Sequence, residues 1–350
     1  MLRVIFTRSK LAAVKVFVMF SIMMFLLTTG FVAVSSAGES NKELKLVMAT
    51  YLLPAYKGIF PALPRFVDYV NEHGKGIVQI DFYHSGTLLK AKELLSGVQS
   101  GTADIIFQTD AYISGTYPML GAIQLPLLYN SEEERYQKNK LGTPVSHFLR
   151  EKMKEKGMAL LAIGQVPTEY IWTVKKPVRK PSDLKGLRMR VSGKIDSKTV
   201  ATFGASPVRM PSAEAFMALK RGVVDGIMAY SGTIAGRRLD EVLKYCTIGA
   251  FGNMHVLILT PQERWESWPE NARKIIMEAA KRYEADMYKT CTKYIETLFE
   301  TRFKNIKVIR LDDREKSAFK KDLTQTYSWW ANMVGKSEGE RALKIVVRGK

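Results

Sequence analysis

Residues 44–110 alternate short apolar runs with stretches of helical period, and this alternation limits the possible folds most severely. Residues 44–49 (Leu-Lys-Leu-Val-Met-Ala) read as a strand, and residues 59–71 follow with Phe60, Leu63, Phe66, Val67 and Val70 at helical spacing. A second strand over 77–82, a helix over 93–100 that Gly101 can end, and a third strand over 103–107 complete the pattern. Strand, helix, strand, helix, strand implies parallel pairing through crossovers, hence an α/β fold. Ligands of open α/β sheets sit beyond the carboxyl ends of the strands, which places Tyr51, Thr109 and Asp110 at a candidate cleft.

The other strong pattern lies near the end. Over residues 269–303, Ile276, Ala279, Tyr283, Met287, Cys291, Tyr294 and Leu298 recur every three or four positions with no interrupting glycine or proline. Such a helix spans about 50 Å, longer than one small lobe, and is expected to brace two lobes from behind. With 350 residues and 46% hydrophobic content the chain can fill two such cores. Residues 158–163 and 255–259 read as strands crossing between lobes, 170–174 as the strand that opens the second lobe, and 213–220 as a helix that follows it there. Tyr230 then falls at the mouth of the second sheet. Thr260-Pro-Gln-Glu263 has the form of a capping box with proline at the first helical position. A strand over 308–311 leads to a closing helix over 312–333, capped by Asp312 and Glu315.

Residues 1–37 read as a cleavable export signal: Arg3, Arg8, Lys10 and Lys15 precede an apolar run over 16–34, and Ser35-Ser36-Ala37 supplies small residues for cleavage. An uncleaved anchor is the alternative. The formal charge of +19 falls to +15 without the four basic residues of this segment, which holds no acid. Such a field draws small anions, anionic surfaces or acidic partners. The lysines are scattered over the chain, so nucleic acid is not an expected partner. Cys246 and Cys291, the two cysteines, lack metal-ligand spacing and either pair in an oxidising compartment or stay as buried thiols.

The stretch 176–191 delivers one further strand. Pro177 and Pro181 punctuate its entry, and over 187–191 Leu187, Met189 and Val191 share one face while Arg188 and Arg190 share the other. A guanidinium matches a carboxylate in bidentate geometry, so the arginine face looks either at a ligand or at water.

Several runs carry a resemblance. Leu184-Lys-Gly-Leu-Arg-Met-Arg-Val191, Phe203-Gly-Ala-Ser-Pro-Val-Arg-Met-Pro211 and Gly222-Val-Val-Asp-Gly226 are supported upstream by Ser85-Gly-Thr-Leu88, Gly101-Thr-Ala-Asp104 and Leu125-Pro-Leu-Leu-Tyr129. In this order they resemble the substrate-binding proteins of tripartite ATP-independent periplasmic (TRAP) transporters of the DctP type. The resemblance implies a two-lobed periplasmic-binding-protein-like α/β fold (type II-like) with a long helix bridging both lobes. Its expected parts are a signal peptide (1–37), lobe I (38–165), lobe II (166–254), a return to lobe I with the bridging helix (255–295), and C-terminal helices packing mainly on lobe II (296–350). It further implies a periplasmic receptor with a small organic acid as ligand and TRAP membrane permease subunits as partners, no cofactor and no metal. A monomer is expected, with a dimer left open.

Carried over residue by residue, Arg190 falls on the arginine that pairs with the ligand carboxylate, and Thr109 and Asp110 fall among polar contacts of the first lobe. The chain departs from the family in three places. Thr168-Glu169-Tyr170 stands where many members carry a second cleft arginine, Ala229 replaces a familiar asparagine, and Ser212 replaces an aromatic. Glu169 is therefore expected either to face the ligand and prefer a donor or cationic group, or to pair with a nearby lysine. Tyr51, Tyr170, Trp172 and Tyr230 are expected as an aromatic wall. No paired histidines, nucleophile elbow or phosphate loop occurs, which favours binding over an exported enzyme. A receptor serving a sensor kinase is the other alternative.

Overall fold

The computed structural model describes residues 43–348, so the expected signal peptide lies outside the described residues. The first lobe opens with β1 (Leu44–Ala49), α1 (Ala62–His73), β2 (Val78–Tyr83), α2 (Leu94–Ser100), β3 (Ile105–Thr109) and the short α3 (Asp110–Ile113). β1 pairs in parallel with both β2 and β3, as the alternation predicts. α1 buries Leu63, Phe66, Val67 and Val70 against this sheet, the face its helical spacing marks. A 3-10 turn (Pro118–Ile123), α4 (Glu132–Asn139) and α5 (Pro144–Lys154) follow. Side chains of Ser131 and Thr143 cap α4 and α5, with Pro144 in the first turn of the latter.

Both lobes then share two long strands. β4 (Met158–Thr173) merges the two short strands expected over 158–163 and 170–174 into one. The second lobe adds β5 (Arg188–Val191), α6 (Lys194–Thr202), β6 (Ser206–Arg209), α7 (Ser212–Lys220), β7 (Gly226–Ala229) and α8 (Ser231–Gly236). β8 (Tyr245–Pro261) returns antiparallel to β4 over nearly its whole length. The register slips between Leu160 and Ala162, Val166 and Glu169, and Glu169 and Ile171. The middle slip holds Pro167, which has no N–H to give a ladder and is tolerated where pairing lapses. The strand order is β2-β1-β3-β8-β4-β7-β5-β6, so one ribbon of two bent strands joins the lobes.

α9 (Gln262–Ser267) follows β8 directly. Thr260 does not cap it: the residue stays in the ladder opposite Ala159, and its hydroxyl has no partner. α10 (Glu270–Thr301) runs 32 residues, about 48 Å. Its first five turns insert Ile276, Ala279, Tyr283 and Met287 into the core of the first lobe, while Leu298 joins a core of the second. Buried Glu284 fastens it to β4 by accepting the Ile163 and Leu141 amides, each at 2.7 Å. The helix is thus the expected brace.

β9 (Lys307–Arg310) pairs with β8, and α11 (Asp313–Met333) starts with a capping box between Asp312 and Glu315. α12 (Lys336–Arg348) ends the described chain. These last helices do not pack mainly on the second lobe. Phe319 and Leu323 of α11 do so, but Trp330 and then Ala342 and Val346 of α12 are buried in the first. A 21-residue helix spans about 30 Å, enough to pass from one lobe to the other. Among the described residues no helix is long and apolar enough to cross a membrane.

Candidate functional site

Arg190 leaves β5 from the face opposite Met189 and Val191 and is 1% exposed. The Met210 carbonyl clamps one edge of the guanidinium, accepting from Nε at 3.0 Å and Nη2 at 2.7 Å. At the other edge, Nη1 donates to Ser192 Oγ at 3.0 Å and Nη2 to Tyr112 Oη at 3.2 Å. A guanidinium has five N–H donors and these contacts use four, all with neutral oxygens. No carboxylate among the described residues lies within 4.0 Å. Arg188, on the same strand face, is 48% exposed and forms a bidentate pair with Asp225.

Residues from both lobes close over this arginine. From the first lobe come Tyr51, Tyr56, Thr109 and Tyr112; from the second, Ser192, Ser212 and Tyr230, with Glu169 contributed by the shared strand β4. They enclose a cavity of about 10 Å³, room for roughly one water. Tyr51 and Thr109 share a 2.5 Å hydroxyl contact, and the Tyr51 and Tyr112 rings lie 5.5 Å apart. The lobes touch directly: Tyr56 Oη meets Ser212 Oγ at 2.8 Å, and the Ser212 amide donates to Tyr112 Oη at 2.9 Å. Arg237 adds an Nε contact to Tyr56 Oη at 2.9 Å.

Glu169 is buried, 1% exposed, and forms no ion pair with a lysine. It faces Gly252 across the β4–β8 ladder, where a Cβ would lie 2.8 Å from its Oε2. The missing side chain makes room for the carboxyl. Burial, then Asp196, pushes its ionisation well above the usual carboxylate range; Asp110 adds to this, while Arg190 and Arg135 oppose it. Asp196 is itself raised by burial, despite accepting the Ser192 and Gly193 amides.

Six of the nine residues expected in the cleft from sequence meet there: Arg190, Glu169, Thr109, Tyr51, Tyr230 and Ser212. Three do not. Tyr170 follows Glu169 in a strand, so it points to the opposite face and packs against Trp172 and Phe299 in the second lobe's core. Trp172, two residues on, shares that buried face and donates to the Ala229 carbonyl. Asp110 turns behind the cleft: its carboxylate accepts the His255 amide at 3.1 Å and faces His255 Nδ1 at 2.8 Å, tying α3 to β8. Burial lowers the His255 ionisation, so its ring is neutral and Nδ1 carries the proton toward Asp110.

Sequence reasoning missed Tyr56, Tyr112, Ser192 and Arg237. Tyr112 was within reach, since it lies three residues beyond Thr109 at the same strand end. Cys246 and Cys291 are free thiols buried in the cores of different lobes.

Residues 49–332 match the model of the bacterial extracellular solute-binding protein family 7, DctP. The C4-dicarboxylate-binding protein DctB of Bacillus subtilis is 25% identical over 282 residues, covering 79% of each chain. A TRAP periplasmic solute-binding protein from Desulfovibrio salexigens, solved with orotic acid, superposes with a TM-score of 0.81 at 23% identity, covering 88% of this chain and 98% of its own. A Bordetella pertussis extracytoplasmic solute receptor binding pyroglutamic acid gives 0.78 at 22% identity, covering 87% and 99%. With its two lobes, its bracing helix and this match over most of its length, the chain belongs to the DctP family of TRAP-type solute-binding proteins.

Proposed function

We propose that the protein is a periplasmic receptor that closes on a small organic acid, holds its carboxylate on Arg190, and presents it to a TRAP-type membrane permease. The carrying observation is a buried guanidinium whose hydrogen-bond partners are all neutral. Arginine does not shed its proton, so this charge calls for an anion, and a carboxylate matches its fork. The small-acid ligands named for the relatives, C4-dicarboxylates, orotic acid and pyroglutamic acid, support the same class.

The Met210 carbonyl fixes the guanidinium plane from one side, and the ligand carboxylate takes the other edge by displacing Ser192 Oγ and Tyr112 Oη. A cavity of about 10 Å³ is too small to admit an acid without opening. Opening bends the β4–β8 ribbon and separates Tyr56 and Tyr112 from Ser212. Closure then brings these residues back toward one another around the bound acid, in a form with more room than this cavity, and the permease reads the closed shape. The protein binds and releases without turnover.

Native mass spectrometry of the exported protein, with a thermal-shift screen of carboxylic acids, tests this reading. An acid at a hundredfold its Kd adds about 2.7 kcal/mol, a rise of several degrees in wild type that Arg190→Ala abolishes. A shift of equal size in a folded Arg190→Ala protein refutes it.

A further inference from the structure

Two residues lining the cavity each carry a buried polar atom with no hydrogen-bond partner within the protein: Glu169 Oε1 and Tyr230 Oη. Both residues are 1% exposed and line a cavity with room for roughly one water, so bulk solvent does not reach them. Their backbones adjoin: Tyr170 of β4 pairs with Ala229 of β7 at the end of the antiparallel ladder, and Glu169 and Tyr230 are the next residues beyond it. Gly252 opposite leaves the space the carboxyl fills.

Acids gather around Glu169: Asp196 and Asp110 lie near enough to raise it, Arg190 and Arg135 oppose them, and Arg237 reaches the cleft only through Tyr56 and Ser212. A ligand carrying only carboxylates adds negative charge beside these acids, whereas a zwitterion adds none. Four tyrosine rings line the same space; Tyr56 already holds the Arg237 guanidinium over its ring, and the aromatic faces of Tyr51, Tyr112 and Tyr230 favour a cation.

We propose that Glu169 and Tyr230 form a second subsite for a protonated amine, so that the ligand is an amino-acid-like zwitterion with its carboxylate on Arg190 and its ammonium on Glu169. The inference rests on the assignment of Arg190 as the carboxylate anchor. It assigns to the position of a common second arginine the opposite charge and the opposite task.

Titration calorimetry on three skeleton-matched series tests it: propionate, lactate and alanine; succinate, malate and aspartate; 5-oxoproline and proline. Within any series that binds, the ammonium member should bind at least about tenfold more tightly than its hydrogen, hydroxyl or amide counterpart. Glu169→Gln should reduce that preference to less than about threefold while Arg190-dependent binding of the carboxylate persists. Should Glu169→Gln not fold, the wild-type ranking decides by itself. Acids that bind through Arg190 with no preference for the amine overturn this inference and leave the anchor standing. A folded protein that binds no member of any series overturns both.

Discussion

Tyr56, with Tyr112, is a side chain through which the first lobe grips the second, and Tyr56→Phe should weaken ligand binding without unfolding anything. Its hydroxyl meets Ser212 Oγ at 2.8 Å and accepts from Arg237 Nε at 2.9 Å, and the Arg237 guanidinium sits 5.3 Å from its ring centroid. Gly236 allows the approach, since a Cβ there would lie 3.1 Å from the ring. A hydrogen bond to a charged donor contributes about 1.5–3 kcal/mol, and one to a neutral hydroxyl about 1. Arg237 is half-buried, so water recovers part of the loss, and about 2 kcal/mol is the expected penalty on the closed form. That penalty raises Kd by about 30-fold. Tyr56 also lines the cavity, so the latch must be separated from direct ligand contact. Arg237 does not line it, and a double-mutant cycle with Arg237→Gln, read by calorimetry on a stabilising acid, should give a coupling of about 1 kcal/mol or more. The melting temperature of the ligand-free protein should hardly move. Unchanged affinity, or a coupling near zero, refutes the latch.

Glu284 gives a pH signature. Burial raises its ionisation to about 7 although it accepts two amides, so the native state holds this proton more firmly than the unfolded chain. Its contribution to stability is therefore full below about pH 4.5 and declines by about 3 kcal/mol as pH rises to 7. Urea denaturation from pH 5 to 7.5 should show a flatter profile for Glu284→Gln, and identical profiles contradict the assignment. Burial raises the ionisation of both cysteine thiols, and they sit in separate cores. A thiol reagent should find two reactive groups in denaturant and none in the native protein, and reductant should leave the melting temperature unchanged.

Local chemistry made part of this molecule legible. The alternation over 44–110 gave the parallel sheet because each run there pairs with a near neighbour in sequence. The spacing of Ile276, Tyr283 and Met287 gave the brace, since a helix fixes which residues share a face. The face that Arg190 shares with Arg188 was found by the same argument, Met189 and Val191 being buried on the other side, and the resemblance singled out Arg190. The ribbon of β4 and β8 was not legible. Its continuity depends on pairing between residues about 90 apart, and Pro167 reads locally as a break. The aromatic wall was misread for a related reason. Tyr170 and Glu169 were both placed in the cleft, yet a strand sends neighbours to opposite faces, and the sheet chose Glu169. Tyr56 and Arg237 meet only when two lobes close, which no short-range pattern records.

The central claim is that Arg190 is the carboxylate anchor, and a crystal structure with a stabilising acid measures it directly. Carboxylate oxygens should lie about 2.7–2.9 Å from the Arg190 terminal nitrogens in place of Ser192 Oγ and Tyr112 Oη, with the Met210 carbonyl still holding the other edge. An acid seated in the cleft with its carboxylate away from Arg190, its guanidinium still bonded to neutral oxygens alone, would contradict it.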